Sequence, residues 1–185
     1  IVPIPKPRAE LDEAGQKIKK ALEAKGISVK YDTDDKNRPG FKFAEYEMLG
    51  VPVRLGLGMR DLENGQVEVA RRDTKEKTFQ PIEGIENYIE KLLEEIQENL
   101  FKKAADFRNQ LTTSVDNFDD FQKVLDEKGG FVKAHWDGTT ETELKIKELT
   151  KATIRCIPVG NPQEDGKCVF SGKPSRQRVL FARAY

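Results

Sequence analysis

The chain has 185 residues, enough for one large domain or two small ones with separate cores. Its 32 basic and 32 acidic residues cancel to a net charge of zero, which excludes a general polyanion binder and leaves any nucleic-acid contact to a local patch. No apolar run approaches the roughly 20 residues of a membrane span, no signal peptide is visible, and two cysteines in so charged a chain suit a reducing compartment.

Ile1-Val2-Pro3-Ile4 carries no initiator Met and reads as the end of a buried strand, so the chain is expected to be a piece cut from a longer protein. After the turn PKPR, the segment AELDEAGQKIKKALEAKG places Leu11, Ala14, Ile18 and Leu22 at steps of three and four, an amphipathic helix ended by Gly26. ISVKYD is expected to be a second strand, and TDDKNRPG a polar loop. FKFAEYEML then reads as a helix closed by Gly50, and VPVRLGLG as a buried strand. Arg60 and Asp61 fall in the following turn, and Asn64-Gly65 leads into the strand QVEVARR. Strand, helix, strand, helix, strand with appended hairpin strands predicts an α/β unit, a mixed sheet flanked by helices. Ligands of such sheets sit at the carboxyl ends of the strands.

From Glu83 to about Leu111 the apolar residues Ile85, Ile89, Leu92, Ile96, Leu100, Ala104, Phe107 and Leu111 step by three or four. This spacing predicts one long helix with a core-facing stripe along its whole length. Its end, near Asn109 to Ser114, is taken as the domain boundary, giving domains 1–109 and 110–185. The second domain begins with the helix DNFDDFQKVLDEKGG, followed by the short strand FVKAHW. Thr140-x-x-Glu143 has the form of a capping box before LKIKEL. ATIRCIPV, CVF and RQRVLFARAY read as strands, with NPQEDGK and GKPS as turns. A small α+β domain follows, an antiparallel sheet with helices on one side.

No catalytic constellation is present. The chain has a single histidine, His135, which reads as a satisfied or surface side chain, and Gly56 and Gly58 give only a lone GxG inside a strand. Phe43 and Glu47 lie four residues apart on one helix face, close in sequence to Arg54, Arg60 and Asp61. An aromatic ring, a carboxylate and several cations suit a nucleobase, which can be stacked upon, offered an acceptor and met at its own acceptors.

The stretch PGFKFAEYEMLGVPVRLGLGMRDLENGQVEVARRDT resembles the anticodon-binding domain of the prolyl-tRNA synthetases in their archaeal and eukaryotic-like form. The C-terminal run KATIRCIP…GKCVFSG…RVLFARAY, ending on Tyr185, is similar to the extra C-terminal domain of that form. The resemblance implies that Phe43 stacks on an anticodon base, Glu47 accepts from a guanine Watson–Crick edge and Arg54 meets a guanine acceptor. It further implies that Arg60 and Asp61 read the neighbouring guanine, and that Lys75, within the basic segment 71–77, completes the contact. The partners it implies are the anticodon loop of the proline tRNA, a catalytic domain outside this chain and a homodimeric parent, with no DNA and no membrane. The parent would be a cytoplasmic proline–tRNA ligase using ATP and Mg²⁺; the chain itself would hold no cofactor and no catalytic residue. Several relatives hold zinc with four cysteines, whereas this chain keeps Cys156 and Cys168, 11 residues apart, and has Ser171 where the last cysteine would fall. A metal-free version of that domain is therefore expected. The alternative is a stand-alone RNA-binding or scaffolding module derived from a synthetase.

Overall fold

The computed structural model describes residues 1–6 and 8–184. Tyr185, the expected family terminus, lies outside the described residues. The chain divides into two compact units, residues 1–103 and 104–185.

In the first unit the strands β1 (Val2–Ile4), β2 (Val53–Gly58), β3 (Gln66–Arg71) and β4 (Lys77–Pro81) form a sheet in that spatial order. β1 pairs parallel with β2, and the remaining pairs are antiparallel, so the sheet is mixed. Alternation along β2 and β3 sends Leu55, Leu57, Val67 and Val69 to one face. There they meet Leu11, Ile18 and Leu22 of helix α1 (Ala9–Ala24) and Ile85, Ile89, Leu92 and Ile96 of helix α4 (Ile85–Gln110) in one core.

The opposite face carries helix α2 (Pro39–Met48). Pro39 opens it, and Gly50 at φ +82° closes it, with Gly50 N–H and Val51 N–H donating to Glu47 O at 3.2 Å and Tyr46 O at 3.0 Å. That double bond pattern requires the left-handed conformation glycine adopts at least cost.

Three expectations need correction here, and one strand, β4, was not foreseen. Residues 27–32 form no ladder: Ile1 donates to Lys30 O at 2.7 Å and Asp32 N–H to Ile1 O at 2.9 Å, contacts confined to the first residue beside β1. The turn holding Arg60 and Asp61 is a short helix, α3 (Met59–Glu63), whose N-terminus is bonded by Gly58 N–H donating to Asp61 Oδ2 at 3.1 Å. β4 carries no apolar alternation, and it forms through its ladder to β3. Finally, the apolar stripe of α4 is buried only over the first core; Leu100 and Phe107 are 44% and 63% exposed.

In the second unit, strands β5 (Thr112–Ser114), β6 (Phe131–His135), β10 (Arg178–Arg183) and β7 (Ala152–Cys156) form a sheet in that order. β5 pairs parallel with β6, so this sheet is mixed rather than antiparallel. Helices α5 (Phe118–Glu127) and α6 (Thr140–Thr150) supply Phe121, Leu125 and Ile146 to a core with Val132, Val179 and Phe181. The α6 cap is Thr139, one residue before the predicted position, because Thr139 Oγ1 accepts from Thr142 N–H. CVF is a turn rather than a strand. Gly172 N–H donates to Cys168 O and Cys168 N–H to Lys173 O, closing the hairpin between β8 (Gly166–Lys167) and β9 (Pro174–Ser175).

Candidate nucleic-acid interface

The site begins with the way α2 is seated. Lys42 and Tyr46, one turn apart, face inward: Lys42 Nζ bonds Asp32 Oδ1 at 3.0 Å and also reaches Asp34 O, while Tyr46 OH donates to Asp32 Oδ2 at 2.8 Å. Burial pushes the Asp32 carboxyl up, but the bonds from Lys42, Tyr46 and Asp34 N–H outweigh it and hold the group below its usual value. With that face tied down, Phe43 and Glu47 point along the next face of the helix.

Phe43, Glu47, Arg54, Arg72, Lys75 and Lys77 line one cavity of about 190 Å³, room for a single base. The Arg54 guanidinium lies over the Phe43 ring, 3.5 Å from its centroid, and Lys77 Nζ stands 6.0 Å from the same centroid. Arg54 Nη1 also donates to Glu68 Oε1 at 3.1 Å. Burial pulls the Arg54 guanidinium below its ordinary value, with Glu68 acting in the opposite sense. Lys75 Nζ forms an ion pair with Glu47 Oε1, and Arg72 Nε donates to Glu47 O at 2.8 Å.

The loop bearing Arg72 and Lys75 is fixed from behind by Asp73. Its buried carboxylate accepts two bonds from Arg71, both at 2.8 Å, and one from Asn99 of α4 at 2.6 Å. These bonds, Arg71's first, hold the Asp73 carboxyl well below the usual range. Lys75 itself sits at φ +65°.

Four of the predicted residues, Phe43, Glu47, Arg54 and Lys75, therefore meet in one place. Arg60 and Asp61 do not line this cavity; they stand on α3, beyond the far end of β2, with Asp61 engaged at the helix cap. Sequence reasoning missed Glu68 and the Asp32 brace, while Lys77 falls within the basic segment 71–77 already singled out. Strand alternation could have found Glu68, since Val67 and Val69 face the core and leave Glu68 on the face of Arg54.

A larger cavity of about 790 Å³ lies along the start of β2, among Leu22, Ile27, Val29, Val53 and Leu93. Its lining is mainly apolar, with Lys30, Tyr46 and Arg54 among its polar members.

In the second unit His135 is buried, with Nδ1 3.1 Å from Ser175 Oγ and Nε2 3.7 Å from Glu164 Oε1. Ser175 donates its own hydroxyl to Gln177 O at 3.0 Å, so this is a clasp over the β8–β9 hairpin rather than an activated nucleophile. The donor set does not fit zinc. Cys156 is exposed, Cys168 is buried and accepts from Ser171 N–H at 3.5 Å, and no group of three or more metal-ligating side chains occurs among the described residues. Ser171 Oγ instead donates to Asp137 Oδ2 at 2.7 Å. No helix among the described residues is long and apolar enough to cross a membrane.

Residues 1–99, which hold this mixed sheet and the cavity beside α2, match the family described as anticodon binding domain. Residues 118–185 match the family described as prolyl-tRNA synthetase, C-terminal. The chain belongs to the prolyl-tRNA synthetase family. It is 61% identical over 188 residues to the proline–tRNA ligase of Cytophaga hutchinsonii, and 55% identical over 177 residues to that of Porphyromonas gingivalis. These alignments cover 100% and 96% of this chain but only 38% and 36% of the relatives' own length. The solved prolyl-tRNA synthetase of Cryptosporidium parvum, complexed with L-proline and AMP, superposes with a TM-score of 0.90 at 32% identity, covering 100% of this chain and 40% of that one.

Proposed function

We propose that this chain reads the anticodon loop of the proline tRNA as the C-terminal part of a proline–tRNA ligase. The observation that carries this reading is the stacking of Arg54 on Phe43 within a base-sized cavity that also holds Glu47. Arg54 covers one face of the ring, so a base stacks on the other. Glu47 accepts from the N–H groups of a guanine edge, taking the place of the Lys75 ammonium, which is released toward an acceptor or a phosphate. Arg54 donates to a guanine acceptor. Arg60 and Asp61, at the far end of β2, serve the neighbouring guanine. Net charge does not oppose this, because Arg54, Arg71, Arg72, Lys75 and Lys77 gather around the cavity while the whole chain sums to zero.

The division at residues 109/110 separates the RNA-reading part from a C-terminal domain that serves the catalytic region. ATP, Mg²⁺ and the ligation chemistry belong to that region, which corresponds to the part of the relatives this chain does not span. The parent is a cytoplasmic homodimer.

The test is a titration with two RNA hairpins, one carrying a proline anticodon loop and one with both of its guanines replaced, each at two salt concentrations. Phosphate contacts alone give salt-sensitive binding without preference. A preference for the guanine loop that disappears in Glu47→Ala and Arg54→Ala supports the reading. Equal binding of both hairpins by the unmodified chain refutes it.

A further inference from the structure

The lone GxG in β2 is not a phosphate loop, and Glu68 has no place in the roles above; the two belong together. Arg54 lies opposite Ala70 and Gly56 lies opposite Glu68, so Arg54 and Glu68 are diagonal neighbours on the same face of the sheet. Long side chains reach across that diagonal. Gly56, opposite Glu68 and two residues from Arg54 on the same face, has no side chain to crowd it. A Cβ at this position would come within 3.1 Å of Ile4 Cδ1 and 3.3 Å of Glu68 Oε1, both tight, and would stand at ordinary contact distance, 3.5 Å, from Arg54 Nη1. Its φ lies outside the left-handed region, so the glycine supplies space rather than backbone freedom.

We infer that Glu68 is a positioning residue which, across the floor left open by Gly56, aims the Arg54 guanidinium into the base cavity. This inference rests on the anticodon reading of that cavity. The guanidinium is a plane with five N–H donors. Phe43 fixes its face at 3.5 Å and Glu68 fixes one edge through Nη1 at 3.1 Å. The remaining N–H groups are left for a ligand. The two side chains are only 12% and 20% exposed, so the bond works in a poorly hydrated setting where it orients more strongly than a surface pair. Without Glu68 the Arg54 side chain would keep its charge and lose its aim.

The test uses the 185-residue chain and the two hairpins already described, with Glu68→Ala, Glu68→Gln, Gly56→Ala and Arg54→Ala compared. Glu68→Ala lowers the preference for the guanine loop about tenfold, the size of one good bidentate base contact. Binding to the guanine-free loop does not weaken, because a negative charge has been removed. Glu68→Gln keeps a carbonyl acceptor and restores most of the preference. Gly56→Ala shifts it in the same direction as Glu68→Ala. The melting temperature of each variant is measured alongside. Full preference in Glu68→Ala, when Arg54→Ala has lost it, overturns the inference and leaves the anticodon reading intact. Parallel loss of binding to both hairpins, unrescued by Glu68→Gln, also overturns it, because that pattern marks a structural role. Full preference in Arg54→Ala overturns the reading of the cavity and this inference with it.

Discussion

Lys42→Met removes one charge of the buried pair beneath α2 and strands the other. The Lys42 and Asp32 side chains are 4% and 7% exposed, so neither can turn to solvent. Attraction offsets the desolvation of such a pair only while both charges are present, and losing one partner costs about 3–5 kcal/mol. Asp32 would keep Tyr46 OH and the Asp34 N–H as donors, which places the expected loss at about 3 kcal/mol, the lower end of that range. Combining Lys42→Met with Asp32→Asn removes both charges and recovers most of the loss. Urea unfolding followed by far-UV circular dichroism measures it, with Trp136 fluorescence read in parallel. Trp136 is the single tryptophan and belongs to the second unit, so its transition stays in place while the dichroism transition moves to lower urea. The same pair sets an acid limb. Because the folded Asp32 pKa lies below the usual 3.8, its contribution is complete above that value and is lost as pH falls through the lower folded one. A cost under about 1 kcal/mol, the range of exposed ion pairs, would refute the argument that this pair seats α2.

Asp137 gives the second unit its own acid limb. Burial pushes its carboxyl up, but bonds from Ser171, Thr142 and Thr139 prevail and hold it at about 2. Relative to the usual 3.8, this contributes stability that is complete above that pH and fades as pH falls toward 2, and Asp137→Asn removes it; Trp136 fluorescence during acid titration reports the change. Phe181→Ala empties a fully buried position whose ring meets Phe121 edge-on at 5.1 Å, and lowers the stability of the second unit by about 3–5 kcal/mol in urea unfolding read at Trp136. Binding to the guanine loop, which rests on the first unit, is unchanged in that variant while the chain remains folded.

Apolar spacing located α1, α4, β2, β3 and β10, because each buries a face whose spacing matches its own repeat over at least part of its length. Short elements escaped for the complementary reason. β4, β5, β8 and β9 carry little apolar pattern and exist because a neighbouring strand offers them a ladder. Residues 27–32 failed in the opposite sense, having the composition of a strand but backbone bonds toward β1 only at Ile1. In α4, Leu100 and Phe107 continue the helical stripe past the point where the first core ends, so spacing was satisfied without burial.

The candidate site divides along the same line. Phe43 and Glu47 share a helix face by spacing alone, and the family motifs around them are contiguous, so sequence by itself determined the family and the helix that presents them. That Arg54 lies over Phe43, that Lys75 reaches Glu47, that Glu68 grips Arg54 above Gly56, and that Asp32 and Lys42 seat α2 were decided only by the tertiary structure. Each of those contacts joins residues on different elements, and their distances depend on sheet register and helix seating, which no local repeat in the chain encodes.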